Sequence, residues 1–325
     1  MAKMYIMVGI PASGKSTLAR ERANKENAIY LSSDSIRFEI FGDENIQENN
    51  NLVFETMNKR ASQSLRDGID VYYDAMNLSR KRRKGLMRQM PRNTEFVAIY
   101  LHSNYHESTY RNNKRKRSVP QHVIEKSYKS LEIPVLGEGF SDIEIIGVES
   151  TQDYKEYSSE FFKLLQGLKE ESHDELFFVL CKMLDIFNDM YNMPQDSTYH
   201  PFSISRHTYH VYKAMKETEY KNDINMLVAS LLHDSGKPFC KTFYNYKGDL
   251  KRYASFYNHE RVSSQVVYDF WEVVPYFDKN LVSTLCQFHM KLHDPNCKRD
   301  ELIKLVGQDT YDMLVVLNEC DKKGK

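Results

Sequence analysis

The chain has 325 residues, enough for two compact domains rather than one. Its 45 basic side chains balance 45 acidic ones, which excludes a uniformly cationic nucleic-acid coat protein, so any polyanion-binding surface must be local. A hydrophobic fraction of 41% with 28% charged residues excludes a disordered chain.

The first half alternates short apolar runs with helix-spaced stretches. Met4 to Val8, Ala28 to Leu31, Ile69 to Tyr73, Phe96 to Leu101 and Ile143 to Val148 are predicted strands, and their continuous apolar character suits a parallel sheet covered on both faces. Asn51 to Arg66 and Arg80 to Met90 carry helical spacing between them, so residues 1–150 are expected to form an α/β domain of about five parallel strands. Acidic, Tyr-rich sequence follows, and residues 151–172 are expected to be a linker. From 173 to 325 the pattern is helical, beginning with one helix over Asp174 to Tyr191. Further helices are predicted at 206–217, 224–233, 259–271, 280–293, 299–306 and 310–319, and a hairpin in 239–256 turns at Lys247-Gly248-Asp249. Cys181, Cys240, Cys286, Cys297 and Cys320 are odd in number and form no Cys-x-x-Cys pair, so reduced thiols in the cytoplasm are expected. No apolar run spans a bilayer and no cleavable signal opens the chain, which predicts neither membrane anchoring nor export.

Gly9-Ile10-Pro11-Ala12-Ser13-Gly14-Lys15-Ser16 fits the G-x-x-x-x-G-K-[ST] pattern directly after a predicted strand and before a helix. Its backbone N–H groups and the helix N-terminus suit nucleotide phosphates, with Lys15 at the β and γ phosphates and the Ser16 hydroxyl on Mg²⁺. Gly9, Ser13, Gly14, Lys15, Ser16 and Thr17 are the expected ATP and Mg²⁺ site. At the end of the second strand, Asp34 is placed to take a proton from an acceptor hydroxyl, and Arg37, a turn later, to hold an acceptor anion; the bland alternative is a helix cap with a solvated arginine. Asp74 ends the third strand, where it would orient acceptor or metal water. Between Leu78 and Pro120 twelve Lys or Arg residues face only Glu95 and Glu107, a cluster that raises affinity for phosphate backbones. Arg82 and Arg83 are expected on the substrate side of this cluster. Arg111 and Arg115 are four apart, which predicts one helix face and a lid over the transferring phosphoryl group.

On Gly9 to Thr17, Ser33-Asp34 with Arg37, Asp74 with Asn77-Leu78, and Arg111-Asn112 with Arg115 before Val119-Pro120, the first 150 residues resemble the phage-type polynucleotide 5'-kinases of the adenylate-kinase-like P-loop group. The resemblance implies that Lys15 and Ser16 act on ATP and Mg²⁺, Asp34 activates a 5'-hydroxyl, Arg37 grips the acceptor phosphate, Asp74 and Asn77 face the substrate, and Arg111 and Arg115 are lid arginines. Met76 departs from the threonine common at that point.

Eight of the eleven histidines lie between His173 and His293. His233-Asp234 ends an apolar helix and precedes Ser235-Gly236-Lys237-Pro238, and a buried imidazole–carboxylate pair needs a reason that metal ligation supplies. His207, with His210 one turn later, His259, His289, His293 and Asp321 offer further ligands at helical positions. Mixed imidazole and carboxylate ligands suit Mn²⁺, Fe²⁺, Ni²⁺, Zn²⁺ or Mg²⁺, and water in such a site can attack phosphorus. Asp321 stands where a helix end would fray.

The ordered set resembles an HD-domain phosphohydrolase, an all-α, metal-dependent family. His207, His233, Asp234 and Asp321 match its core quartet, His259 and His289 its extra positions for a second metal, and Lys237 and His210 are candidates for contacting substrate phosphate. Together the two halves look similar to bacterial bifunctional end-healing enzymes, which implies a 5'-hydroxyl polynucleotide kinase joined to a 2'/3' or cyclic phosphate phosphohydrolase. RNA ends rather than DNA ends are the favoured substrate, with an RNA ligase as pathway partner. Two alternatives stand beside this: a small-molecule, nucleoside-type kinase fused to an HD nucleotidase or phosphodiesterase, and a nucleotide-sensing module with a structural metal.

Overall fold

The computed structural model describes residues 1–46, 48–148, 155–166, 172–197 and 201–324, with 155–157 described in backbone only. The chain divides into two compact units, Met1–Gly147 and Val148–Lys325.

The first unit runs β1 (Lys3–Val8), α1 (Lys15–Glu26), β2 (Ile29–Ser32), α2 (Ser33–Phe41), α3 (Asn50–Arg66), β3 (Val71–Asp74), α4 (Arg80–Met87), β4 (Glu95–Leu101), α5 (Tyr105–Asn113), α6 (Gln121–Ser130) and β5 (Asp142–Ile146). Its sheet has the order β2-β3-β1-β4-β5, every neighbouring pair parallel, as the apolar runs predict. Met7, Tyr72, Val97, Ile99 and Leu101 pack against Ala19 and Ala23 of α1, whose short side chains let that helix lie close to the sheet. β1 is central: the chain runs from it to β2 on one edge and from β3 across to β4 on its other side, so the loop at its carboxyl end lies at a topological switch point where ligands of open α/β sheets bind.

The second unit comprises α7 (Lys155–Leu165), α8 (His173–Met183), α9 (Asp185–Met190), α10 (Ile204–Met215), α11 (Ile224–Leu232), α12 (Lys237–Cys240), β6 (Thr242–Tyr244), β7 (Leu250–Ser255), α13 (His259–Val273), α14 (Lys279–Phe288), a 3₁₀ turn at His289–His293, α15 (Arg299–Val306) and α16 (Gln308–Lys323). The expected linker is corrected in its middle: α7 buries Phe161, Leu164 and Leu165, with Phe161 edge-on to Phe270 at 5.6 Å. Its apolar spacing was hidden in acidic composition; residues 151–154 and 167–171 of that stretch lie outside the described residues. The single helix expected over 174–191 is two, because Leu184 is extended at φ −143° and ψ 137°. Ser172 caps α8, in a reciprocal pairing with Glu175. The hairpin β6–β7 turns where expected. All five cysteines are free thiols, and no described helix is long and apolar enough to cross a membrane.

Candidate functional site

In the first unit the loop between β1 and α1 is shaped by glycine. Gly9 sits at φ 152°, and a Cβ there would stand 2.8 Å from the Leu101 carbonyl oxygen, so no other residue fits. Gly14, left-handed, opens α1. Lys15 folds back over the loop, its Nζ donating to the Ile10 carbonyl at 2.7 Å and to Ser13 Oγ at 3.3 Å. Burial lowers the Lys15 ammonium to about 8. Ser16 and Thr17 face outward in the first turn of the helix.

The groups expected on the acceptor side lie close together. Ser32 caps α2, and Asp34 lies in its first turn rather than at the cap. Arg37 is buried, donating to Asp34 Oδ1 at 2.8 Å and to Asn50 Oδ1 at 2.8 Å. The second Asp34 oxygen lies 3.3 Å from Nη1 of Arg117, the last arginine of the second basic run, whose place in the sequence carries no signal of this contact. Asp34 is thus held between two guanidinium groups, those of Arg37 and Arg117. Asp74 is buried and accepts a 2.7 Å hydrogen bond from Tyr30 Oη.

Two substrate expectations are corrected here. Arg83 is fully buried: its guanidinium makes a bidentate pair with Glu138 at 2.7 and 2.8 Å and donates to the carbonyls of Asn77 and Glu132. Asn77, at φ 47°, commits its amide to the Met7 carbonyl at 2.8 Å. Both pin the segment after β3 and face protein, not substrate. Arg80 pairs with Glu132, so the first basic run is partly neutralised by acids just beyond the counted window. Arg82 lies over the Phe54 ring at 5.6 Å. Arg111 reaches toward the Ser13 carbonyl at 3.5 Å and pairs with Glu107. Arg115 does not share its helix face, because α5 ends at Asn113 and Asn112 closes the next segment through paired bonds to Val119. Its positive charge still bears on Lys15.

In the second unit four imidazoles and two carboxylates converge. His207 is on α10, His233 and Asp234 follow α11, His259 opens α13, His289 follows α14, and Asp321 lies in α16. All six are buried. His207, His233, His259 and His289 direct Nδ1 at backbone carbonyls of Gly324, Ser230, Phe256 and Cys286, at 2.7 to 3.0 Å. With Nδ1 carrying the proton, each Nε2 presents its lone pair inward. There His207 Nε2 and His233 Nε2 are 3.4 Å apart, and His259 Nε2 and His289 Nε2 3.3 Å. Lone pairs so placed need a cation or a proton between them.

Asp234 serves both pairs. Its Oδ2 is 3.2 Å from His207 Nε2 and its Oδ1 3.2 Å from His259 Nε2. Asp321 Oδ1 is 3.0 Å from His207 Nε2, and its Oδ2 accepts from His293 at 2.8 Å. Among the described residues, the groups able to hold a metal are His207, His233 and Asp234, and Asp234, His259 and His289. Ligand bonds of about 2.0–2.2 Å put neighbouring donors on one ion about 3 Å apart, so the observed spacing fits two divalent ions sharing Asp234.

Electrostatics agree. Burial opposes ionisation of Asp234, yet Lys237, His233 and His207 hold it well below the ordinary carboxylate range. Burial likewise opposes the Asp321 anion, and His207 and His293 keep it charged. Burial disfavours a charged His207, but the hydrogen bonds it donates to Asp234 and Asp321 raise it to about 9. Burial, then His259 and His233, push His289 down to about 3. Lys237 Nζ lies 2.6 Å from Asp234 Oδ2 and donates to Gln195 Oε1 at 2.8 Å. His210 is half-buried, its ring 4.8 Å from that of Phe202. Gln195 and the Gly324 carbonyl carry no motif; His293 was visible only as a histidine four residues after His289.

Residues 4–134 match a family described as an AAA domain. An L-seryl-tRNA(Sec) kinase from Methanococcus maripaludis is 27% identical over 175 residues, covering 50% of this chain and 65% of that protein. The chain thus spans about two thirds of the length of that curated relative. Among solved structures, a chain of a Pnkp1/Rnl/Hen1 RNA repair complex aligns with TM-score 0.37 and 22% identity, over 39% of this chain and 42% of that one. A gluconokinase from Sinorhizobium meliloti aligns with TM-score 0.34 and 18% identity, over 46% of this chain and 84% of its own. With the glycine loop at the switch point of a parallel sheet and Lys15 folded over it, residues 4–134 have the architecture of a phosphate-loop domain, which suits the binding of nucleotide phosphates.

Proposed function

We propose that the chain heals nucleic-acid ends, RNA ends in preference: the first unit moves the γ-phosphoryl of ATP to a 5'-hydroxyl, and the second removes a 2'/3' or cyclic phosphate with divalent metal. The observation that carries this reading is the convergence of four inward Nε2 atoms on two carboxylates in one unit, while a complete phosphate loop occupies the other. The name of the curated relative places its acceptor on an RNA, which supports an RNA-borne hydroxyl.

In the kinase unit Lys15 neutralises the transferring phosphates, Ser16 would hold Mg²⁺, and Asp34 takes the acceptor proton once the acceptor anion has drawn Arg37 away from it. Arg111 and Arg115 add positive charge above the loop, and Arg82 extends that charge outward. Asp74, set by Tyr30, orients the acceptor. In the second unit His207, His233, Asp234 and Asp321 would hold one ion, and His259, His289 and the shared Asp234 another. Ions there supply Lewis-acid polarisation of a phosphoryl oxygen and acidify bound water. Lys237 steers the phosphate toward the cluster, with His210 beside it. An RNA ligase is the expected consumer of the products.

The test is an end-labelled RNA with a 5'-hydroxyl and a 2',3'-cyclic phosphate, incubated with ATP and each of Mg²⁺, Mn²⁺, Ni²⁺ and Zn²⁺. Asp34→Asn should abolish 5' transfer and leave 3' processing, and Asp234→Asn should do the reverse. Simultaneous loss of both activities in either variant would refute separate sites. Outcompetition of RNA by free nucleosides would assign the small-molecule alternative instead.

A further inference from the structure

The hairpin β6–β7 is absorbed by neither site. It is bracketed by ligand positions: Asp234 lies just before α12, which leads into β6, and His259 follows β7 by four residues. Its root is fixed. Ala254 N–H donates to the Asp196 carbonyl at 3.0 Å, and Lys241 Nζ lies 2.6 Å from the Asp196 carboxylate. Lys237, at 2.6 Å from Asp234, also lies 5.5 Å from the centroid of Phe256, at the end of the hairpin. The tip is fixed too, because Asn245 Oδ1 accepts from the N–H groups of Lys247 and Asp249.

Its outer part is aromatic and basic at once. Tyr246 is 80% exposed, Tyr244 55% and Tyr253 40%. Residues 240–257 hold Lys241, Lys247, Lys251 and Arg252 against Asp249 alone. Cations already stand over ring faces: Arg252 over Tyr253 at 5.3 Å, and Lys251 over Tyr257 at 5.9 Å. The Tyr246 and Tyr257 rings lie 4.0 Å apart, tilted by 35°. A two-stranded ribbon gains little stability from rings left in water. An acidic peptide would use the cations and leave the rings idle, whereas a single-stranded nucleic acid uses both, phosphates on the cations and bases on the π-faces.

We propose that this hairpin is a stacking platform for the single-stranded end of a nucleic acid, leading its terminal phosphate to the histidine–aspartate cluster at its root. The assignment rests on the end-healing reading for its purpose but on its own residues for its ligand. Six residues of β7 at about 3.3 Å each give a ramp of about 20 Å, room for a few nucleotides.

The test uses the full chain and a 12-nucleotide single-stranded RNA with a 3'-hydroxyl, followed by fluorescence anisotropy, with a 4-thiouridine near the 3' end for crosslinking. The expected crosslinks fall on Tyr244, Tyr246 or Tyr253. The variant Tyr244→Ala/Tyr246→Ala/Tyr253→Ala should bind at least tenfold more weakly. The variant Lys247→Gln/Lys251→Gln/Arg252→Gln should lower the slope of log affinity against log salt by about 2. Circular dichroism and metal content of each variant confirm the fold. Affinity within twofold of wild type, crosslinks confined to other segments, or equal competition by duplex RNA, polyglutamate or anionic phosphatidylserine vesicles would each overturn the proposal. Hydrolysis of a generic phosphodiester by the wild-type chain with Mn²⁺ tests the phosphohydrolase reading separately; its failure would sink that reading while the crosslinks still decide the hairpin.

Discussion

Gly236→Ala probes the histidine–aspartate cluster without touching any of the residues proposed to hold metal. A Cβ at Gly236 would lie 2.3 Å from the His259 carbonyl oxygen, 2.7 Å from the Ser263 nitrogen and 2.8 Å from Val262 Cβ. All three belong to the first turns of α13, so the helix must retreat by about 1 Å, since packed backbone has no slack to absorb the atom. The same shift stretches the buried bond from Gly236 N–H to Ser263 Oγ, now 2.9 Å. Overpacking costs about 1–3 kcal/mol, and the weakened hydrogen bond about 1 kcal/mol more. For a unit of this size the expected fall in its melting temperature is about 5–12 °C. Because His259 rides on α13, the group formed by Asp234, His259 and His289 should open while His207, His233 and Asp234 stay together. Calorimetry and elemental analysis of the purified variant should therefore show a lower transition and a selective loss of bound metal. Gly85→Ala, which meets nothing within 4 Å, should leave both unchanged or raise stability slightly. A Gly236→Ala protein with wild-type melting and wild-type metal content would refute the reasoning.

Two further predictions concern the first unit. Arg83→Met strands a fully buried Glu138 carboxylate, so urea denaturation should register a loss of about 3–5 kcal/mol, with most of it recovered in Arg83→Met/Glu138→Leu; reduced RNA affinity at unchanged stability would restore Arg83 to the substrate side. For Lys15, a pKa of about 8 against the ordinary 10.5 leaves the amine largely neutral above pH 8 in the free protein. Burial of the ammonium therefore costs stability below pH 8, and that cost is relieved as pH rises from 8 toward 10.5. ATP favours the charged form, so titration calorimetry in buffers of differing ionisation enthalpy should show uptake approaching one proton at pH 9 and none at pH 6.5; equal uptake at both would refute the assignment.

The fold was legible wherever one pattern had one physical meaning. In the first half, short apolar runs alternating with helix-spaced stretches fit a buried parallel sheet, and all five strands fall where those runs lie. The phosphate loop was equally plain, because Gly9 and Gly14 occupy conformations other residues resist. What escaped depended on partners far away in sequence. Arg82 and Arg83 are adjacent and chemically alike, yet one lies on the outside over Phe54 and the other is sealed against Glu138, 55 residues on. Nothing local distinguishes them. Asn77 was given to substrate for the same reason, while its amide is spent on the Met7 carbonyl. The ligand candidates could be named from order and spacing, but the carbonyls that fix their tautomers could not, since Gly324, Ser230, Phe256 and Cys286 share no signature.

The cluster's charge leads to a final prediction. With neutral imidazoles, Asp234 and Asp321 against Lys237 leave one net negative charge, which repels a phosphate ester. His207, kept protonated up to about 9, brings that to zero, so in the ion-free protein a proton stands where the geometry fits a cation. One divalent ion in place of that proton turns the cluster net positive, and two make it more so. Anion binding at the second unit should therefore depend on ion loading. In a Lys15→Met background, which silences the phosphate loop, inorganic phosphate should bind the Mn²⁺-loaded chain at least tenfold more tightly than the chelator-treated one at pH 7.5. Calorimetry reads the difference, and adding Asp234→Asn should erase it. Equal affinity with and without the ion would mean that Lys237 alone draws the anion, and the two ligand groups would lose their claim on the substrate.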